Sequence, residues 1–390
     1  MDLIFNFVLM NFWVNSATIA GRTYAFIRRT SYACGGDSLA MHTAWHVMTT
    51  ESLRMQSRTV DIEQLAWSWS ETPGLEELSV TRIHSSGEEI EIPVARIQGS
   101  RPGPQMTVMS GMHAGEYSGI LAAQKLISKV KPEELSGTLL VIPVISTRAF
   151  MERNMQLNPV DQKEVHFIRP GSPDGTYSDM LIDTLFEIVK DSDYLIDSHA
   201  GEMAQSLMSW VPVPMRGANE LSSKSLELAR GFDVEYVEPR YDLPSIPPFC
   251  VALINAGIAN IWVECGKNGV PTEQDTATHF DGYIAALQTM KMLPGDSARP
   301  RQKLLKGTRS QINSEISGVW HPAVKEGDVV EAGQYLGRLS DYFGNTLEEF
   351  HSPTRSLVLY YWSNPAINAE RRPHGYDWHN GLVSLLDVEE

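Results

Sequence analysis

Between residues 106 and 292, short apolar runs alternate with segments whose apolar residues recur at helical spacing. The run Met106–Met109 precedes a helical pattern over 117–130, and the run 138–144 precedes another over 178–190. Continuous apolar runs predict strands buried on both faces, because a strand with one wet face alternates apolar and polar residues. The pattern therefore predicts an α/β fold, in which helices cover both faces of a mainly parallel or mixed sheet.

The character of the sequence changes after Pro294-Gly295-Asp296. Beyond Lys306, the β-like segments are short and glycine is frequent, which is typical of the tight turns of an all-β module. We therefore predict a large α/β domain over residues 55–300 and a small C-terminal all-β, barrel-like domain over residues 306–390.

Residues 1–54 show neither a clear period nor turn signals. The apolar stretch Leu3–Val14 is too short to span a bilayer, and no basic residue precedes it. A signal peptide is the alternative, with Ala17–Ala20 as its cleavage site. We favour a non-native or poorly structured N-terminal extension, with Met55 as the natural start, which N-terminal sequencing of the natural protein would test.

Composition excludes several classes of partner. The net charge of −16 opposes binding to nucleic acid and to anionic membranes, and no basic run compensates for it. The three cysteines (Cys34, Cys250 and Cys265) have neither metal-ligand spacing nor the even number of a disulfide framework. They indicate a reducing, cytoplasmic compartment, and we interpret Cys265 as a packing residue.

Two candidate metal ligands lie in one turn. His113 and Glu116 belong to the segment Gly111–Glu116, which follows a predicted strand, and His199 ends another predicted strand. A catalytic zinc site needs three such ligands and leaves its fourth position to water. The His-x-x-Glu pair alone is weak evidence, since it recurs at His199 and Glu202. The strand ends strengthen it, because open α/β sheets bind ligands there.

Five separated motifs occur along the chain in an order that is typical of one enzyme family. They are Gly111–Tyr117 (GMHAGEY), Gly137–Val144 (GTLLVIPV), Pro170–Thr176 (PGSPDGT), Leu195–His199 (LIDSH) and Trp262–Gly266 (WVECG). Together they resemble the succinylglutamate desuccinylase/aspartoacylase family, which is related to the zinc carboxypeptidases. The resemblance covers roughly residues 80–365.

The resemblance implies a zinc-carboxypeptidase-like fold and the chemistry of a zinc-dependent amidohydrolase. It implies that His113, Glu116 and His199 bind one Zn²⁺ per chain. Glu264 matches the family's general base, and Arg153 falls where the family places an arginine that polarises the scissile carbonyl.

The residues themselves leave alternatives open at two of these positions. Glu264 could instead be a strand-end carboxylate paired with a nearby Lys267. Asp197, two residues before His199, could orient a ligand imidazole or could cap a turn.

The chain departs from the family where an Asn-Arg pair usually binds the substrate's carboxylate. Those positions hold His166 and Phe167, so the planar guanidinium fork is lost. Arg169 could substitute or could face away. We assign His166, Phe167 and Arg169 to substrate binding, and Phe167 favours a substrate with an apolar part or one whose carboxylate lies elsewhere.

The segment over about 311–365 resembles the biotinyl/lipoyl-like β domain that often ends these deacylases. A true carrier domain presents a lysine at a hairpin tip, but the tip segment Glu349–Pro353 contains none. We therefore interpret this part as a structural cap.

The leading functional hypothesis is a zinc-dependent hydrolase that cleaves the amide bond of a small N-acylated amino acid or amine. The alternatives are a non-catalytic ligand-binding protein on the same fold and a carboxypeptidase. The expected partners are a small-molecule N-acyl substrate and further copies of the chain in a homo-oligomer, with no nucleic acid and no membrane. The polar tail around His374 and His379 could fold over the site or onto a partner subunit.

Overall fold

The structure is a computed structural model, and it separates into two compact units, residues 1–58 and 59–390. It describes residues 11–19, 22–33, 40–49, 58–154, 156–168, 171–241, 246–297, 300–370 and 380–388.

The first unit contains an antiparallel sheet of three strands, β1 (Asn11–Ile19), β2 (Arg22–Ala33) and β3 (Ala40–Thr49). The pairing is continuous, from Asn11 opposite Thr30 to Ile19 opposite Arg22. The sequence analysis expected little regular structure here, because the strands lack a clear apolar alternation. That this extension is non-native stays a prediction.

The second unit holds the remaining elements, except that the first residue of β4, Arg58, is counted with the first unit. Its strands are β4 (Arg58–Asp61), β5 (Gly74–Ile83), β6 (Glu89–Gln98), β7 (Arg101–Ser110), β8 (Ser136–Ile142), β9 (Tyr194–His199), β10 (Gln205–Leu207), β11 (Trp210–Pro214), β12 (Tyr236–Arg240), β13 (Ala259–Glu264), β14 (Lys303–Leu304), β15 (Arg309–Asn313), β16 (Gly318–Pro322), β17 (Val329–Val330), β18 (Tyr335–Ser340), β19 (Thr346–His351), β20 (Ser356–Trp362), β21 (Ala366–Ile367) and β22 (Gly381–Asp387). Its α-helices are α1 (Tyr117–Lys129), α2 (Thr147–Glu152), α3 (Tyr177–Val189), α4 (Glu220–Ala229), α5 (Pro248–Asn255) and α6 (Glu273–Thr289). Two 3-10 helices cover Ile62–Trp67 and Val165–Phe167.

A mixed sheet of ten strands, in the order β14-β12-β11-β13-β9-β7-β8-β6-β5-β4, forms the centre of this unit. The four strands β13, β9, β7 and β8 run parallel to one another. β5, β6 and β8 pair antiparallel, as do β11 and β13. The predicted α/β class is therefore confirmed, and the sheet is mixed.

Helices cover both faces of the sheet. Adjacent residues of β7 point into different cores: Val108 packs with α1, α4 and α6, whereas Met109 packs with α3 and α5. Both side chains are fully buried. The continuous apolar runs of the sequence follow from this arrangement, because each parallel strand must supply apolar residues to two cores.

The C-terminal residues form two smaller sheets. One has the order β10-β20-β22-β15, with β17 also paired to β20, and the other has the order β19-β18-β16-β21. β10 precedes the predicted boundary at 300–306, and Gln205 lies opposite Trp362. The all-β part is thus joined to the α/β part by strand pairing, and the division into separate domains stays a prediction. None of the helices in the described ranges is both long and apolar enough to cross a membrane.

Candidate active site

Three neighbouring parallel strands end at the same edge of the central sheet. Ser110 of β7 lies opposite Ser198 of β9, and His199 lies opposite Glu264 of β13. His113 follows the end of β7 by three residues, while His199 and Glu264 are the last residues of their strands. Parallel pairing therefore brings together three of the side chains that the sequence analysis selected.

The turn after β7 needs a glycine. Gly111 has φ +67°, and a Cβ atom there would lie 3.1 Å from Cα of Val144. The turn leads to Glu116, the N-cap residue of α1, whose side chain does not cap the helix. Glu116 Oε2 instead accepts a hydrogen bond of 3.1 Å from the backbone N–H of Ala200. The carboxylate thus points across the strand ends and away from its own helix.

His113, Glu116 and His199 bring their donor atoms together. Nδ1 of His113 lies 2.9 Å from Glu116 Oε1, and Nδ1 of His199 lies 2.9 Å from Glu116 Oε2. The two Nδ1 atoms are 3.3 Å apart. Zinc bonds of about 2.0–2.1 Å in a tetrahedron separate neighbouring ligand atoms by about 3.3 Å. The donor atoms of these three residues are therefore spaced much as zinc ligands would be.

The second nitrogen of each histidine faces a carboxylate. Nε2 of His113 lies 2.8 Å from Glu164 Oε1. Nε2 of His199 lies 3.0 Å from Asp197 Oδ2, although the carboxylate is out of line with the N–H bond. A hydrogen-bonded carboxylate fixes the tautomer of a ligand histidine and turns its other nitrogen toward a metal, and Glu164 is placed to do this for His113. Asp197 was expected either to orient a ligand imidazole or to cap a turn. The structure places it beside the candidate ligand His199.

The charges of the cluster favour a cation. Burial lowers the pKa of His113 and of His199, but the carboxylates outweigh this effect and hold both pKa values well above the usual range. Burial raises the pKa of Glu116, but the two histidines outweigh it and lower this pKa to about 2. Two imidazolium protons carry the same charge as one divalent ion. The donor set therefore fits a metal such as zinc.

Two further buried side chains adjoin the cluster. The ring of His166 stacks on that of His199 at a centroid distance of 4.6 Å, and its Nε2 has no hydrogen-bond partner among the described residues. Both carboxylate oxygens of Glu202 also lack a partner there, and one lies within 4.8 Å of donor atoms of His113 and Glu116. Unpaired buried polar atoms are rare, and a bound cation or ligand would satisfy them.

Glu264 has the electrostatic properties of a proton acceptor at neutral pH. Burial raises its pKa to about 7, and the charge of Glu116 opposes the lowering effect of His199. Lys267, the alternative partner considered for Glu264, forms an ion pair with Glu326 of the all-β part. Cys265 is buried, and burial raises its thiol pKa to about 12, which fits a packing residue.

The candidate ligands and Glu264 line one cleft together with most of the other predicted site residues. Its walls include His113, Glu116, Glu164, His166, Phe167, His199 and Glu264. Arg153 is exposed at the left-handed end of α2, with φ +57°, and does not line the cleft. Its role at the scissile carbonyl stays a prediction. Arg169 lies outside the described residues.

Several residues of the cleft were not predicted from the sequence, among them Glu164, Arg240, Arg309 and Tyr360. Glu164 lies only two positions before His166, so its proximity to a predicted site residue was a usable signal. Arg240, Arg309 and Tyr360 also line the cleft. No local motif surrounds these three, and Arg309 and Tyr360 come from beyond the predicted domain boundary.

Comparisons with known proteins agree with this architecture. Residues 102–290 match the model of the succinylglutamate desuccinylase/aspartoacylase catalytic domain. The N-alpha-acetyl-L-2,4-diaminobutyric acid deacetylase of Halomonas elongata is 25% identical over 273 residues, which cover 69% of this chain and 79% of the relative.

Solved structures show the same fold. The ectoine utilization protein EutE (DoeB) of Ruegeria pomeroyi, in a product-bound structure, superposes with a TM-score of 0.71 at 17% identity, covering 81% of this chain and 96% of that one. A succinylglutamate desuccinylase from Silicibacter sp. TM1040 has a TM-score of 0.70 at 19% identity, covering 81% and 96%. Through residues 102–290, the chain belongs to the succinylglutamate desuccinylase/aspartoacylase family.

Proposed function

We propose that this protein is a zinc-dependent deacylase that hydrolyses the amide bond of a small N-acylated amino acid. The observation that carries the proposal is the convergence of His113, Glu116 and His199 with Glu264 in one cleft. A ligand cluster alone would serve a binding protein equally well. A buried carboxylate with a pKa near neutrality beside it supports hydrolysis.

His113, Glu116 and His199 would hold the zinc, with Glu164 and Asp197 orienting the two imidazoles. When bound, zinc supplies an activated water at neutral pH and polarises an amide carbonyl. The residues of the chain account for the proton movements.

Glu264 accepts the proton that the attacking water loses as the new C–O bond forms. It then delivers this proton to the amine nitrogen as the C–N bond breaks. The carboxylic acid that results gives up the second proton of the water, and the free amine takes it up. The products at neutral pH are therefore a carboxylate and an ammonium ion, and atoms and charges balance. A pKa of about 7 allows Glu264 both to accept and to release the proton near neutral pH.

The substrate class is supported by the relatives. The Halomonas elongata relative is named as a deacetylase of an N-acetylated amino acid. Phe167, which is 42% exposed, and the aromatic residues Trp210, Trp262 and Tyr360 give the cleft apolar walls suited to a small organic molecule. We place an N-acylated amino acid with a short side chain first among the candidate substrates.

The test couples metal content to turnover. Elemental analysis of the purified protein should find about one zinc per chain, and amine release from a panel of N-acyl amino acids should stop with a chelator and return with zinc. Zinc without release from any amide, or release that is insensitive to complete metal removal, would contradict the proposal.

We further propose a biotinyl/lipoyl-like fold for the C-terminal β part, its role as a cap, a cytoplasmic location and a homo-oligomeric assembly. Glu326 supports the role as a cap, because it pairs with Lys267 and accepts a hydrogen bond of 2.9 Å from Ser206. These contacts hold the β part beside the strand end that carries Glu264.

A further inference from the structure

The all-β part contributes charged and aromatic side chains to the candidate active site. Arg309 lies on β15 and Tyr360 on β20, and both line the cleft that contains His113 and Glu264. Arg240, the last residue of β12, lines the same cleft. Two guanidinium groups from opposite parts of the molecule therefore face one site.

A single buried carboxylate orients both arginines. Glu238 is only 6% exposed. Its Oε1 accepts a hydrogen bond of 2.9 Å from Nε of Arg309, and its Oε2 accepts one of 2.6 Å from Nη2 of Arg309. The same Oε2 lies 3.2 Å from Nε of Arg240 and accepts a bond of 3.0 Å from Nε1 of Trp210. The bidentate geometry holds the Arg309 guanidinium in one plane.

Aromatic rings support both guanidinium groups. Cζ of Arg309 lies 5.5 Å from the centre of the Trp210 ring, and Cζ of Arg240 lies 5.0 Å from that of Trp262. Burial lowers the pKa of Arg240 to about 10, so this side chain remains a cation at neutral pH. The two cations are thus rigid, partly desolvated and set against apolar walls, where an anion is bound more strongly than in water.

Arg309 has a donor left for a ligand. Glu238 occupies its Nε and Nη2, and no described residue engages Nη1. The Arg309 side chain is 26% exposed, so the cleft can reach it. This is an arrangement in which one edge of the guanidinium is anchored and the other can bind an anion.

We propose that Arg309, together with Arg240, binds the carboxylate of the substrate, and that Glu238 positions both arginines. The inference rests on the proposed function, because it names the substrate group that the deacylase recognises. On this proposal, β12 and the all-β part bind the carboxylate, so His166 and Phe167 need not do so.

The test measures binding, so that it does not depend on turnover. The probes are N-α-acetyl-L-2,4-diaminobutyrate and its carboxamide, titrated by calorimetry into zinc-loaded Glu264→Gln protein with and without Arg309→Gln. We expect the acid to bind about 10- to 100-fold more weakly when Arg309 is replaced, as for the loss of a charged hydrogen bond. The affinity for the carboxamide should change less than about 3-fold, because the carboxamide has no negative charge for Arg309 to bind.

Matched variants exclude a general structural effect. Arg338→Gln removes an arginine from β18 that does not line the cleft, and it should leave both affinities unchanged. Arg309→Lys keeps the charge without the planar fork and should give an intermediate loss for the acid alone. A third probe, N-succinyl-1,4-diaminobutane, carries its carboxylate on the acyl half and shows which half of the substrate faces Arg309.

The outcomes separate this inference from the proposed function. Equal losses for the acid and the carboxamide, or no preference for the acid in the parent protein, would overturn the role of Arg309. Failure of the wild-type, zinc-loaded protein to release amine from any N-acyl amino acid of the panel would overturn the deacylase, even if the acid-specific loss of binding were observed.

Discussion

Nε2 of His113 lies 2.8 Å from Oε1 of Glu164, and the Glu164 side chain is only 3% exposed. This contact fixes the ring so that Nδ1 of His113 faces Glu116 and His199. We expect Glu164→Gln to weaken zinc binding by about 10- to 100-fold, as for other carboxylates that orient a ligand histidine. Competition with a chromophoric chelator at pH 7 measures the change.

Glu134→Gln serves as the control for that variant, because Glu134 is an exposed carboxylate away from the cleft and its replacement removes the same charge. Zinc affinity should not change in the control. Equal affinities for Glu164→Gln and the wild type would show that the carboxylate has no orienting role.

Glu264→Gln separates catalysis from metal binding. Glutamine has nearly the same shape but cannot accept the proton of the attacking water, so we expect kcat to fall by at least about 10²- to 10⁴-fold. The zinc content, measured by elemental analysis, should stay at the wild-type level. The exposed Glu235 provides the matched control, Glu235→Gln, in which kcat should be unchanged. Loss of zinc together with activity would mean that Glu264 acts as a ligand.

The pH dependence of activity follows from the pKa of Glu264. Burial raises this pKa to about 7, and the group must be ionised to accept a proton. Activity is therefore present above about pH 7 and is lost as the pH falls through this value. A divalent metal has the same charge as the two protons that it replaces, one on His113 and one on His199. The midpoint of the pH profile of activity should therefore stay near neutrality. An acid limb of kcat/KM near pH 4.5, the ordinary range for glutamate, would contradict this assignment.

Replacement of Trp320 tests the packing of the all-β part. Its side chain is 2% exposed, and its ring lies edge-on to Phe350 at a centroid distance of 5.7 Å. We expect Trp320→Ala to lower the free energy of unfolding by about 3–5 kcal/mol, because it leaves a large cavity. Tyr342→Ala, at a side chain that is 92% exposed, should stay within about 0.5 kcal/mol of the wild type. Denaturant titration followed by circular dichroism measures both, and a loss below about 1 kcal/mol for Trp320→Ala would contradict the packing argument.

The sequence by itself predicted the α/β part closely, because its information there is local. The helix predicted over 117–130 is Tyr117–Lys129, and the one predicted over 178–190 is Tyr177–Val189. Helical spacing and apolar strand runs are properties of neighbouring residues, so they can be read without the fold. The positions of His113, His199 and Glu264 can likewise be read locally, since each ends or follows a recognisable strand, and the roles that the resemblance implies for them stay predictions.

Only the tertiary structure decided which distant side chains share the site. Glu164 meets His113 across 51 residues, and Arg309 meets Glu238 across 71. No period or motif encodes such contacts, because they depend on how the segment around Glu164 and the all-β part pack against the strand ends. For the same reason only the fold shows that Arg153 is exposed and that Arg240 and Arg309 line the cleft, and the role that the resemblance implies for Arg153 stays a prediction.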